Sequence, residues 1–221
     1  MSDLLFKFKS LCSQMDEARC IRILNTGTIY CPKLSELNDF HEAYNYYDLG
    51  DSDRLNDKRK NILADSTERA STRVLSLTKE CNLTNPVMWA MYGGEGKGIA
   101  FSVKVIEKDA IRVEVDYEEK LTPQSSTEKS IKIKNIIWNF EKEVRYVFKP
   151  NVSMIPPYDK YTNTPYKKII IEKIYLGRRI KLKTKRRIVN IARRKNITVN
   201  ELSPFHSPKI GFRNVLINEE K

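Results

Sequence analysis

The sequence predicts an α+β fold in a single domain. Three observations point there. Strand-like segments such as RVLSLTK (73–79), IAFSV (99–103) and EVRYVF (143–148) outnumber the helical ones. The helical segments fall unevenly between them, which argues against a repeating βαβ wind. A chain of 221 residues, 40% hydrophobic and 10% aromatic, fits one domain with a core that needs no disulfide staples.

Residues 14–25 (QMDEARCIRILN) place Ala18, Ile21 and Leu24 near helical spacing, and Gly27 ends the helix. Thr28–Cys31 reads as a short strand. Residues 35–47 (SELNDFHEAYNYY) read as loop, and residues 52–70 as charged and mostly helical. Arg73–Lys79 is a strand. Residues 86–94 (PVMWAMYGG) open with proline and close on two glycines, the punctuation of a short helix. IAFSV is a buried-type strand, Ile111–Tyr117 alternates as another, and residues 120–130 are polar loop. Ser130–Phe140 reads as helix and Glu143–Phe148 as strand, stopped by Pro150. Residues 150–166 hold four prolines and read as irregular. Ile169–Leu176 is a strand, Thr184–Lys195 a basic helix and Lys209–Ile217 a last strand.

No run approaches the ~18 apolar residues that cross a bilayer. The segment MSDLLFKFKS lacks the basic-then-apolar pattern of a secretory signal, so the expected location is cytoplasmic, without a membrane partner. Cys12, Cys20, Cys31 and Cys81 form no closely spaced pair, and His41 and His206 lie far apart, so no metal site is expected from them.

The net charge of +12 is uneven. Residues 160–221 hold 17 Lys/Arg against 4 Asp/Glu, while residues 1–159 are nearly balanced. From Lys173 to Lys195 there are eleven cations and no acid. Such self-repulsion gives a folded domain nothing by itself, and a polyanion, RNA or DNA, would explain it. The expected contacts are Arg178, Arg179, Lys181, Lys183, Lys185, Arg186, Arg187, Arg193, Arg194 and Lys195. A solvated basic face is the simpler alternative.

Three clusters could carry chemistry. Asn38, Asp39 and Glu42 sit in NDFHE, which also suits an Asx turn. Trp89 and Tyr92, three apart on one helix face, are core residues or an aromatic wall for a flat ring. Glu141, Glu143 and Arg145 alternate, so on a strand they share a face. Arg145 could simply neutralise one carboxylate. The pair could instead stabilise positive charge on a sugar as a glycosidic bond breaks.

The ordered words LFKFKS, ILNTGTIYCPKLSELNDFHEA, VLSLTKE, NPVMWAMYGGEGKGIAFSV, VDY, WNFEKEVRYVF and IEKIYLGRRI resemble the bacterial family catalogued as domain of unknown function 2971. The resemblance covers residues 4–181. It implies a core domain over 1–181 and a basic C-terminal extension over 182–221, packed on the core. The family usually has histidine where this chain has Met91. The family's frequent placement beside mobile elements suggests a toxin or phage-defence effector with a neutralising protein partner.

A second resemblance is to the ADP-ribosyltransferase-like superfamily. It rests on a basic residue on a first strand, a Ser-x-Thr strand and a Glu-x-Glu strand. It implies a split, mostly antiparallel sheet with flanking helices and a cleft for NAD. Lys7 or Lys9 would take the first position, Ser76 and Thr78 the second. Glu143 would be the catalytic glutamate that holds the ribose 2′-hydroxyl, and Glu141 would orient or deprotonate the acceptor. Tyr92 or Trp89 would stack on nicotinamide. The alternatives are a non-catalytic nucleic-acid-binding module and a Mg²⁺-dependent nuclease using Asp39, Glu42, Glu141 and Glu143.

Overall fold

A computed structural model describes residues 4–37, 68, 70–120, 127–149 and 164–203, and the backbone of 211–214. The segments expected as loop at 38–47 and 150–163 and as helix at 52–67 lie outside these residues.

The fold is α+β with a mostly antiparallel sheet. Its strands are β1 (Leu5–Lys9), β2 (Thr28–Tyr30), β3 (Arg73–Lys79), β4 (Ile99–Val105), β5 (Ile111–Glu114), β8 (Glu143–Phe148), β9 (Tyr166–Leu176), β10 (Thr198–Ser203) and β11 (Gly211–Asn214). Their order is β11-β10-β9-β4-β1-β3-β8-β5, and β2 also pairs with β9. Among the described residues, only β9 and β10 run parallel within this sheet. The short strands β6 (Asp116–Glu118) and β7 (Ile133–Asn135) form a separate parallel pair.

Helices α1 (Gln14–Thr26) and α4 (Leu182–Arg194) cover one face. Ser13 caps α1: its Oγ accepts from the Asp16 amide at 3.1 Å, and its own amide donates to Asp16 Oδ2 at 3.2 Å. Gly27 closes the helix at φ +62°, the left-handed region that glycine enters freely. Cys20, Ile21, Ile23 and Leu24 of α1 and Ile188, Ile191 and Ala192 of α4 bury against Leu75, Leu77, Ile99, Phe101 and Ile174. Removal of this apolar surface from water is the main source of stability. Residues 182–203 therefore extend the main sheet and its core.

On the opposite face Phe6, Phe8, Ala100 and Tyr175 pack with α2 (Pro86–Met91). Asn85 caps α2, its Oδ1 accepting from the Val87 amide at 3.0 Å, and Pro86 fits the first turn because no amide partner is needed there. The expected helix at 130–140 is instead α3 (Thr127–Lys132), then β7, then a 3-10 turn over Ile136–Glu141. The expected strand at 111–117 breaks into β5 and β6 at Val115, whose amide donates to the Glu143 carbonyl at 3.2 Å.

The turn between β9 and α4 sits against the Gly93–Gly98 turn. A Cβ on Gly177 would lie 2.2 Å from the Gly96 carbonyl oxygen. Backbone cannot yield as a flexible side chain can. Gly177→Ala should therefore cost about 1–3 kcal/mol, read as a lower urea midpoint at unchanged slope.

Candidate active site

The main sheet opens in its middle. Strand β1 pairs with β4 along its whole length but meets β3 only at Leu5↔Lys79 and Phe6↔Thr78. Farther along, the free edge of β3 is taken by residues 32–34. The Val74 amide donates to the Pro32 carbonyl at 2.9 Å, and the Leu34 amide to the Thr72 carbonyl at 3.0 Å. Between these two pairings lies a cleft. There Lys7 Nζ donates to the Ser76 carbonyl at 2.8 Å, in place of a ladder bond.

A cavity of about 240 Å³ occupies the cleft, lined by residues including Lys7, Phe8, Ser76, Thr78, Tyr92, Lys134, Glu141 and Glu143. Lys7, Ser76, Thr78, Tyr92 and the two glutamates, expected to form one site, thus converge. Lys9 does not line the cavity. It lies on the α1 side, where the charges of Arg19 and Asp16 act on it, and burial lowers its pKa. Trp89 does not line it either, correcting its expected role as a stacking face. Its ring is buried edge-on to Phe8, at 5.0 Å between centroids, and its Nε1 donates to the Leu83 carbonyl at 2.7 Å.

The two carboxylates are held differently. Arg145, fully buried, makes a two-pronged contact with Glu143: Nε to Oε1 at 2.9 Å and Nη2 to Oε2 at 2.9 Å. Its Nη1 donates to the Ile131 carbonyl at 2.8 Å. Lys134 Nζ lies 3.3 Å from Glu143 Oε2, and the Ser76 hydroxyl also hydrogen-bonds this carboxylate. Burial by itself would raise the Glu143 pKa. Arg145, then Lys134 and Ser76, outweigh it and hold the carboxyl well below its ordinary range. Glu143 is a fixed anion whose acceptor positions are nearly filled.

Glu141 accepts from Lys134 Nζ at 2.7 Å on one oxygen and from the Tyr92 hydroxyl on the other. Two of its roughly four acceptor positions are thereby used. Glu141 closes the 3-10 turn rather than starting the strand, contrary to the simple alternation expected from sequence. Lys142, at φ +45°, reverses the chain so that both carboxylates still reach Lys134. Asn82 anchors the turn, its Nδ2 donating to the Phe140 carbonyl at 2.7 Å and to Thr78 Oγ1 at 2.7 Å.

Lys7 is desolvated, and Lys9 repels it further. Glu143 and Glu141 oppose these effects only in part, so its pKa falls to about 8. The cavity lining carries Lys7 and Lys134 against Glu36, Glu141 and Glu143, and Arg145 behind Glu143 brings the charges level while Lys7 is protonated. Lys134 also stands 4.8 Å over the Trp138 ring.

Lys134, Asn82 and Tyr117, whose hydroxyl accepts from the Glu143 amide at 2.8 Å, were not foreseen as part of the site. In IKIKN the half-exposed Ile133 and the buried Lys134 reverse the usual pattern, so alternation misleads there. Asn38, Asp39 and Glu42 lie outside the described residues. Among the described residues no three His, Cys, Asp or Glu side chains group as metal ligands. Arg178, Arg179, Lys181, Lys183, Arg186, Arg187, Arg193, Arg194 and Lys195 are exposed, whereas Lys185 is half-buried against Glu201 at 2.8 Å. No helix in the described residues is long and apolar enough to cross a membrane. No family model, curated protein or solved structure matches the chain.

Proposed function

We propose that the cleft between β1 and β3 takes the nicotinamide–ribose end of NAD and transfers ADP-ribose to an acceptor. The observation that supports this most is the convergence of Lys7, Ser76, Tyr92, Glu141 and Glu143 on one small cavity. Its volume is below the ~300–1,000 Å³ of pockets that enclose drug-sized ligands, so it receives one end of a dinucleotide. The order of these residues along the chain also resembles the ADP-ribosyltransferase-like layout.

Bound NAD supplies a glycosidic bond to a cationic ring. Phe8 and Tyr92 offer that ring an apolar wall, and Lys7 faces the anionic phosphates. Glu143 acts through its fixed negative field, which favours positive charge developing on the ribose. Glu141, with acceptor positions left, receives the acceptor's proton. The acceptor's lone pair forms the new bond to ribose C1′ as the bond to nicotinamide breaks. That electron pair leaves with nicotinamide, which departs neutral, and the acceptor's proton passes through Glu141 to water. The two glutamates thus keep the roles that the resemblance implies, except that Glu143, its acceptor positions nearly filled, acts on the ribose through its field rather than by holding the 2′-hydroxyl.

One observation favours a second reading, a non-catalytic nucleic-acid-binding module. Lys134 and Arg145 already satisfy both carboxylates without a ligand.

Calorimetric titration with NAD across about pH 7–9 separates the two. Lys7 is charged below its pKa of about 8 and neutral above it, so affinity should fall as pH rises through that value. Lys7→Met should bind about 10–100-fold more weakly, from the ~1.5–3 kcal/mol of a charged hydrogen bond, and show no such step. Absence of NAD binding, or wild-type binding flat with pH, contradicts the proposal.

A further inference from the structure

We propose that the acceptor is single-stranded nucleic acid, its backbone running from the cleft rim over the Gly93–Gly98 turn onto the exposed face of α4. This rests on the transferase reading above. The route is continuous in the structure. Tyr92 lines the cleft and leads into the glycine turn. Arg179 lies on that turn, its Nη1 donating to the Glu95 carbonyl at 3.3 Å, and Gly177 packs on Gly96. Lys181 then opens α4.

Helix α4 separates its two sides sharply. Thr184, Ile188, Ile191 and Ala192 are buried, while Lys183, Arg186, Arg187, Arg193 and Arg194 are exposed at helical spacing. Among the described residues its ion pairs are Lys185 with Glu201 and Arg187 with Glu17. A groove between α1 and α4, lined by Asn25, Arg187, Asn190, Arg193 and Arg194, adds amide groups to these cations. Phosphates meet such donors whatever the base sequence.

A membrane surface suits this helix less well, because its apolar side is already buried in the core. A single strand suits it better than a duplex, since a group inside a base stack cannot reach a recessed cleft without leaving the stack. An acidic protein is the competing occupant.

The test is fluorescence anisotropy with a labelled single strand of about twelve nucleotides, as RNA and as DNA, within the ~4–16-nucleotide range of single-strand sites. The variant is K183E/R186E/R193E/R194E. Wild-type affinity should fall about 50-fold between about 50 and 200 mM salt if four phosphates are engaged. The variant should bind at least tenfold more weakly at the lower salt, with a flatter salt slope, and should lose label transfer from NAD to the strand. Its thermal midpoint should stay close to wild type, because the replaced side chains are exposed. Unchanged binding by the variant, failure of the wild type to bind at low salt, or preference for the matching duplex overturns the inference. Loss of binding in the variant with no nicotinamide release by the wild type keeps the nucleic-acid surface. It removes the acceptor role together with the transferase reading.

Discussion

Replacing Arg145 with methionine should destabilise the protein by about 3–5 kcal/mol, the cost of leaving a buried charge without its partner. The guanidinium is fully buried and, among the described residues, donates twice to Glu143 and once to the Ile131 carbonyl. Its loss leaves Glu143 to Lys134 and Ser76 and leaves the Ile131 carbonyl without that bond. The double variant Glu143→Leu/Arg145→Met should recover most of the loss, because apolar pairs often replace buried ion pairs at little cost. Lys134 keeps Glu141 in that variant. Urea unfolding of the three proteins measures this directly. The sign with pH also follows. A carboxyl depressed in the folded state contributes stability above its unfolded pKa of about 4.3, and that contribution is lost as pH falls into acid. Arg145→Met should flatten this acid limb.

Glu141→Gln should lower the rate of ADP-ribose transfer by about 10²–10⁴-fold, the usual range for removing a general base. Glutamine keeps the shape and can still accept from Tyr92, but it cannot take a proton. NAD affinity should change much less, because Lys7 and the aromatic wall remain. Transfer rates and calorimetric binding on the same preparation separate these effects. Equal loss of binding and rate would mean that Glu141 holds the ligand rather than acting in the step.

Much of the scaffold was legible in the sequence. Arg73–Lys79 and Glu143–Phe148 are strands with the expected bounds, because apolar and β-branched residues dominate them. The basic helix expected at 184–195 is present as Leu182–Arg194, but its buried apolar side, Ile188, Ile191 and Ala192, was not foreseen. Strand β10 was not foreseen: its buried positions are Val199 and Glu201, and Glu201 is buried where Lys185 meets it. The opening between β1 and β3 is a long-range property of which strands pair and where they part. Separate words of sequence suggested the members of the cleft. The reason that they meet, and the hold of Lys134 and Arg145 on both glutamates, lay in tertiary contacts.

The most direct test of the proposed site is release of nicotinamide from labelled NAD by the wild type, with and without single-stranded RNA, beside Glu141→Gln. Release by the wild type, faster with RNA and label-transferring, and lost in the variant, is the expected result. NAD bound without release, or release equal in both proteins, would contradict the claim that this cleft performs glycosyl transfer.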